Sequence, residues 1–294
     1  MKKIGKNEQL FAVPGKKHSV EDFSSEYTGG MKKEDGKTLL EDNIDALAKL
    51  QDRLYADGRY AVLVIFQAMD AAGKDGTIKH VMSGVNPQGC QVYNFKQPST
   101  EELAHDYFWR TYKCMPERGR IGIFNRSYYE ETLVAKVHPE IVLRQKLPTI
   151  TSLNDINPNF WKHRYRQIND LERHLVDNGT LIIKFFLNIS KEQQKRRLMR
   201  RIDDETRNWK FDMSDLRERG FWDDYMNAYS EMLTHTSTKY APWHVIPADN
   251  KWYMRYAVGR IIVEHLSKLD IQYPKIDDEA RQKLKEAKAA LTND

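Results

Sequence analysis

The run Tyr60–Phe66, YAVLVIF, is apolar at every position and rich in β-branched residues. A segment without a polar face has to be covered on both sides, and a strand inside a parallel sheet is covered in that way. The next residues are equally restrictive. Gln67 leads into AMDAAGKDGTIKH, where the small residues Ala71, Ala72 and Gly73 precede Lys74, and the spacing predicts a helix over Lys74–Ser83. A buried strand, a small-residue turn and a helix N-terminus make the layout of a phosphate-binding loop. The usual pattern G-x-x-x-x-G-K-[ST] is broken twice, because Ala68 stands at the first glycine and Asp75 at the Ser or Thr.

The remaining chain alternates strand and helix patterns. Apolar residues at helical spacing (Leu40, Ile44, Leu47, Leu50, Leu54) run up to Gly58, placed as a helix C-cap. After the loop come a strand CQVYNF, a helix TEELAHDYFWRTYKCM, a strand RIGIFN and a helix SYYEETLVAKV. A variable stretch with Pro148 and Pro158 leads to helix FWKHRYRQINDLERHLVDNG, strand TLIIKFFLNI, helix KEQQKRRLMRRI, strand WHVIP and a helix from near Asn250. Such alternation predicts an α/β fold with a parallel sheet and helices on both faces. The first thirty-odd residues read as an arm packed over the surface, and the tail from Asp277 as a charged surface helix.

Composition excludes more than it selects. A formal net charge of +5 on 294 residues is mildly basic and does not by itself call for nucleic acid. Two cysteines, Cys90 and Cys114, give neither a disulfide framework nor a metal knuckle, and fit ordinary thiols in a reducing compartment. The basic N-terminus lacks a long apolar stretch, and no apolar run approaches a membrane span. The expected location is cytoplasmic, without membrane or nucleic-acid partners.

Candidate chemistry gathers at strand ends, where open α/β sheets bind ligands. The helix N-terminus at Lys74 attracts anions, and Ala71, Ala72, Gly73 and Gly76 leave room for a phosphate near the backbone. A lysine in a first helical turn opposes the dipole, and a phosphate would remove that conflict. Lys79 and His80 add positive potential. Asp70 and Asp75 would repel phosphate unless a divalent cation lay between, so Asp70 is the expected metal ligand, with magnesium the expected ion. Asp75 also reads as a first-turn acid complementing the helix dipole. Asn125 and Arg126 end the strand Ile121–Phe124, and Arg126 suits a bidentate phosphate clamp. Glu130 returns a carboxylate one turn on, or completes a capping box with Ser127. Arg197, Arg200 and Arg201 share one face of a basic helix, followed by Arg207, Trp209 and Lys210. That run reads either as a solvated face or as a lid that closes over phosphates.

The motifs FQAMDAAGKDGTIKHVMSGVNPQGCQV, IGIFNRSYYEE, NWKF with LRERGFWDDY, and STKYAPWHVIPADNKWYMR resemble polyphosphate kinase family 2, in the same order from about Lys37 to Leu269. The resemblance implies a P-loop kinase-like core with a helical lid. It divides the chain into an arm at 1–36, a phosphotransferase domain at 37–270 with its lid at about 197–222, and a surface helix at 271–294. It implies magnesium-dependent transfer of the terminal phosphate of polyphosphate to a nucleotide, by a dimer or tetramer. Asp70 and Lys74 then belong to a modified Walker A loop and Asn125 and Arg126 to a Walker B segment. Arg197, Arg201, Arg207 and Lys210 become lid residues, and Lys79, Lys96 and Arg110 line the polyphosphate channel. The family often has Asp at the position of Asn125, which argues against Asn125 as a direct metal ligand. The loop and FNRSYYE look most like the subgroup accepting both nucleoside mono- and diphosphates, so the expected acceptors are ADP and AMP, with GDP and GMP as further candidates. Trp209, Phe211 and Tyr128 are equally readable as base-stacking or core residues. An ordinary ATP-dependent kinase would share the loop but calls for Ser or Thr after Lys74. A non-catalytic polyanion- or RNA-binding protein would explain the arginines but not Asp70 and Asp75.

Overall fold

The computed structural model describes residues 10–292. Strands β1 (Ala61–Gln67), β2 (Cys90–Asn94), β3 (Ile121–Asn125), β4 (Thr180–Asn188) and β5 (Trp243–Pro247) form one sheet in the order β2-β3-β1-β4-β5. Every adjacent pair is parallel. β1 is central and buried at all its positions, as its lack of a polar face requires. Phe66 lies opposite Asn125 of β3 and Phe185 of β4, so β1 and β3 end nearly level while β4 runs on to Asn188. The chain leaves β1 toward one edge of the sheet and β4 toward the other, which opens a crevice at their carboxyl ends.

The longer helices are α1 (Lys33–Asp57), α2 (Lys74–Val81), α3 (Pro158–Asp177), α4 (Lys191–Asp203), α5 (Met213–Gly220), α6 (Trp222–Thr236), α7 (Lys251–Leu266) and α8 (Asp278–Thr292). One group packs α1, α2 and α7 together, and another α3 and α6. α1 ends at Gly58, whose φ of 67° makes the expected left-handed cap. α1 and the start of α7 approach so closely that a Cβ on Gly36 would stand 2.4 Å from the Trp252 ring.

Two expected helices are broken. Thr100–Met115 yields only Thr100–Ala104 and Trp109–Tyr112, because His105 is extended and the Asp106 carboxylate accepts from Phe108 N–H instead. Ser127–Val137 becomes a 3-10 turn over Tyr128–Thr132 and a short helix Val134–Val137. The N-terminal arm does more than lie on the surface. Ala12 and Leu10 hydrogen-bond β5 at Trp243 and Val245, and Leu10, Ala12, Val20 and Phe23 are buried, so the arm covers an open sheet edge. The part of the expected arm at 1–9 lies outside the described residues. Helix α8 buries nothing, in keeping with its charged sequence. No helix among the described residues is long and apolar enough to cross a membrane.

Candidate active site

The loop after β1 turns through two left-handed residues, Ala71 at φ 61° and Gly73 at φ 108°. Gly73 adopts this freely, whereas the Cβ of Ala71 makes it cost about 1 kcal/mol. Gly73 is the N-cap of α2 and supplies no side-chain acceptor, so the first N–H groups of α2 are left for an anion. Lys74 is buried, and its ammonium donates to the carbonyls of Ala68 at 2.8 Å and Met69 at 3.4 Å. Burial, then the charge of Arg126, lowers its pKa. The lysine therefore braces the loop from within.

Arg126 is, after Ala71, a second strained position, with φ 65°. Its guanidinium donates to Asp70 at 2.6 Å and to Glu130 at 3.3 Å, so the ends of β1 and β3 are joined by charge. The carboxylate of Glu130 raises the arginine's pKa, with Asp70 adding to the effect, so it is cationic at any working pH. Glu130 also accepts from Gln67 at 3.0 Å. It is not the capping-box acid: Ser127 caps the turn alone, through Tyr129 N–H. Asn125 donates its amide to Asp75 at 2.7 Å and leaves its Oδ1 buried without a partner. Asp75 thus ties α2 to β3 rather than serving only the dipole.

Asp70, Arg126 and Glu130 open onto a cavity of about 570 Å³. Its far walls come from the segment around Lys96, Glu102 and Arg110, from His138 to Gln145, and from α5 through Asp215, Arg217 and Glu218. Lys96 and Arg110 are joined, the guanidinium donating to the Lys96 carbonyl at 2.7 Å. Helix α5 is held in place by Glu218, which takes His138 Nε2 at 2.8 Å and the Tyr225 hydroxyl at 2.6 Å. Arg201 holds Asp215 at 2.7 Å. Burial, then the charge of Asp70, raises the pKa of Asp215.

Not every expected residue faces this cavity. Arg197, expected among the lid cations, is buried beneath the loop instead and donates to the carbonyls of Ala71, Ala72, Ala248 and Asp249. It cannot reach substrate while it holds the backbone. Arg201 touches the cavity only through Asp215. Arg207 pairs with Asp204 at 2.6 Å and Lys210 lies 4.8 Å over the Trp209 ring, both away from the cavity lining. Trp209 itself is 78% exposed. Lys79 is on the exposed side of α2. Tyr128 is buried and donates to Glu172, which makes it a core residue that also lines the cavity.

The profile of the family described as Polyphosphate kinase 2 (PPK2) matches residues 30–274. The chain belongs to the polyphosphate kinase 2 family. It is 50% identical over 259 residues to the ADP-polyphosphate phosphotransferase of Rhodopseudomonas palustris, covering 88% of this chain and 89% of that one. It is 48% identical over 228 residues to the AMP/ADP-polyphosphate phosphotransferase of Meiothermus ruber, covering 78% and 80%. The crystal structure of polyphosphate kinase 2 from Arthrobacter aurescens TC1 superposes with a TM-score of 0.84 at 41% identity, covering 94% and 95%.

In this polyphosphate kinase 2 chain the strained segment at Arg126 rests on a fully buried pair. Lys184 of β4 donates to Glu172 of α3 at 2.6 Å, to Tyr129 Oη at 2.8 Å and to the Thr236 carbonyl at 2.8 Å. Glu172 in turn accepts from both Tyr128 and Tyr129. The two phenols draw the chain after Arg126 inward, which is why a 3-10 turn replaces the expected helix. Sequence reasoning passed over Lys184 inside an apolar strand. It also passed over Arg144, His138, Arg217 and Glu218, although LRERGFWDDY carries the last two.

Proposed function

We propose that this chain transfers the terminal phosphoryl group of inorganic polyphosphate to ADP and AMP, reversibly and with magnesium. The observation that carries the reading is the position of Asp70 and Arg126. They stand between an uncapped helix N-terminus on one side and a cavity of about 570 Å³ on the other. That volume lies within the range of small-molecule sites, and its mixed lining suits a nucleotide. The helix N-terminus suits the phosphates of the donor. The names of the relatives in Rhodopseudomonas palustris and Meiothermus ruber support both acceptors.

The reaction needs charge neutralisation and alignment more than proton transfer, because the acceptor phosphate is already ionised. The α2 N–H groups hold the donor end. Arg126 spreads positive charge over the group in transit, and Asp70 and Glu130 fix where the guanidinium points. Lys74 and Arg197 keep the loop carbonyls turned inward, so the N–H groups face the anion. Arg110 and Lys96, expected along a polyphosphate channel, line the cavity with Arg144, and on this reading they offer positive charge to the acceptor instead. Helix α5, with the preceding turn over Glu205–Lys210, is the segment suited to close over the cavity and exclude water.

Among the described residues no group of three or more His, Cys, Asp or Glu side chains is arranged to hold a metal. A magnesium ion delivered on phosphate needs few protein ligands, and Asp70 provides a carboxylate oxygen. The unpartnered Oδ1 of Asn125 accepts but cannot donate, so it fits a metal-bound water and not a phosphate oxygen. When bound, the ion neutralises phosphate charge. The same reading takes the enzyme to be a cytoplasmic dimer or tetramer.

The test is product formation from long-chain polyphosphate with AMP and ADP in separate reactions, each with magnesium or with excess chelator. ADP from AMP and ATP from ADP, both abolished by chelation, is the expected result. Product from ADP alone would remove AMP as an acceptor. No product from either would remove polyphosphate as the donor.

A further inference from the structure

The far wall of the cavity belongs to a unit with a small core of its own. Ala135, Val142, Ile150, Trp161 and Tyr165 form a buried cluster separate from the core around the sheet. Apolar attraction is non-directional, and a polar joint beside this cluster supplies direction. Arg164 of α3 pairs through Nε with Glu131 at 2.9 Å, the two side chains being 9% and 5% exposed. Gln145 bridges the pair: its amide donates to Glu131 at 2.7 Å, and its Oε1 accepts from Arg164 at 3.1 Å. The third arm of the guanidinium donates to Gln167 at 3.0 Å, which also accepts from the Tyr107 hydroxyl at 3.2 Å. The rings of Tyr107 and Phe160 lie 4.6 and 4.7 Å from the guanidinium carbon. Glu131, Gln145 and Tyr107 line the cavity, and Arg164 does not. One side chain thus joins three pieces of wall: the turn after Arg126, the end of the helix Glu140–Arg144, and the segment leading to Arg110. Adjacent carboxylates divide the work, Glu130 holding Arg126 and Glu131 holding Arg164. Replacing a buried ion pair by apolar residues is often neutral or stabilising, so stability alone does not account for one built into a cavity wall.

We propose that Arg164 is a positioning residue for the acceptor nucleotide, setting through Glu131, Gln145 and Tyr107 where Arg144 and Arg110 stand against it. The inference rests on the cavity being the acceptor site. Arg144 immediately precedes Gln145 and faces the cavity, so the bridge at Gln145 fixes the backbone from which it reaches. Arg110 is three residues beyond Tyr107, and its charge also acts on Glu131. The joint needs a planar group with three fixed donor directions. A lysine supplies the charge and not the directions. Arg164 touches neither the donor loop nor Arg126, so its effect is confined to the acceptor.

The experiment measures initial rates for the wild type, Arg164→Lys, and Arg164→Met combined with Glu131→Gln, which strands no charge. ADP and AMP are varied at saturating polyphosphate, and polyphosphate at saturating ADP. Both variants are expected to raise the KM for ADP and for AMP about fivefold, with kcat and the KM for polyphosphate within about twofold of the wild type. A merely structural ion pair would be restored by lysine, so wild-type nucleotide KM values in a folded Arg164→Lys protein overturn the inference. A fall in kcat with unchanged KM values overturns it, as does an equal rise in the KM for polyphosphate, which would mean general distortion. Unfolding midpoints identify a variant that fails to fold. Gln145→Ala, which leaves the charges paired, then carries the test with the same expected rise. Arg144→Gln separates this inference from the reading beneath it. An unchanged KM for ADP in Arg144→Gln removes the cavity as the acceptor site, whereas a raised one beside a wild-type KM in Arg164→Lys removes only the role of Arg164.

Discussion

Arg197 reaches four main-chain carbonyls, on Ala71 and Ala72 after β1 and on Ala248 and Asp249 after β5. A buried guanidinium satisfied by backbone fixes two loops at once, and removing it strands those carbonyls. Arg197→Met is expected to cost about 3 kcal/mol of stability and to lower kcat, read from denaturant midpoints and initial rates. Arg197→Lys should not restore it, since one ammonium cannot span both loops. A wild-type kcat in either variant would return Arg197 to the solvated lid. Lys251 makes a different prediction, about pH. Its pKa of about 8 in the folded chain lies below its ordinary 10.5. Below pH 8 the lysine is charged in both folded and unfolded chains, and the crowding penalty is complete. Between about 8 and 10.5 the folded chain releases the proton first, so this group makes stability rise with pH across that window. The arginines facing it, Arg197, Arg200, Arg207 and Arg255, do not titrate there. Lys251→Gln should flatten this trend, read from denaturant midpoints across the same window. The motif residues at Asp70, Lys74 and Arg126 were legible in the sequence because loop chemistry announces them. The partners of Lys74 and Arg197 were not, because a lysine that grips carbonyls and one that grips phosphate have the same spacing.

At the level of elements, β1 and the helix after it could be read directly, since an all-apolar strand admits few environments. The segment after Arg126 could not. Its residues Ser127–Val137 have helical periodicity, yet Tyr128 and Tyr129 are drawn to Glu172, more than forty residues away in sequence, and the helix breaks at Leu133. Tertiary hydrogen bonds to a buried carboxylate outweigh local propensity. Lys184→Met should therefore destabilise the fold by about 3–5 kcal/mol, because Glu172 is left charged and buried without its cation. Adding Glu172→Gln removes the stranded charge and keeps an acceptor for the phenols. The double variant should recover more than half of the loss in thermal or denaturant unfolding. A double variant no more stable than the single would show that the pair contributes through packing and not through charge.

Across the whole molecule, the strand order β2-β3-β1-β4-β5 puts the loop after β1 between two differently equipped regions. One is the cavity beyond Asp70 and Arg126, with cations and carboxylates mixed. The other is the cationic face of α4 and α7, where Arg200, Lys251 and Arg255 gather. Salt should separate them. Between about 50 and 200 mM salt the KM for long-chain polyphosphate is expected to climb steeply, while the KM for ADP, held in a partly closed cavity, changes much less. Parallel dependence for the two substrates would mean that they share one electrostatic surface. The parallel sheet and its flanking helices followed from alternation of pattern, but the order of the strands and which cations face which ligand depended on packing across the sheet. The central claim is that phosphoryl transfer takes place where Asp70 meets Arg126, and its most direct test is Asp70→Asn. The variant keeps size and hydrogen bonding while removing the charge. ATP formation from polyphosphate and ADP should fall about 10³-fold in kcat, with the unfolding midpoint near that of the wild type. A folded Asp70→Asn protein with kcat within tenfold of the wild type would contradict the account and move the reaction elsewhere.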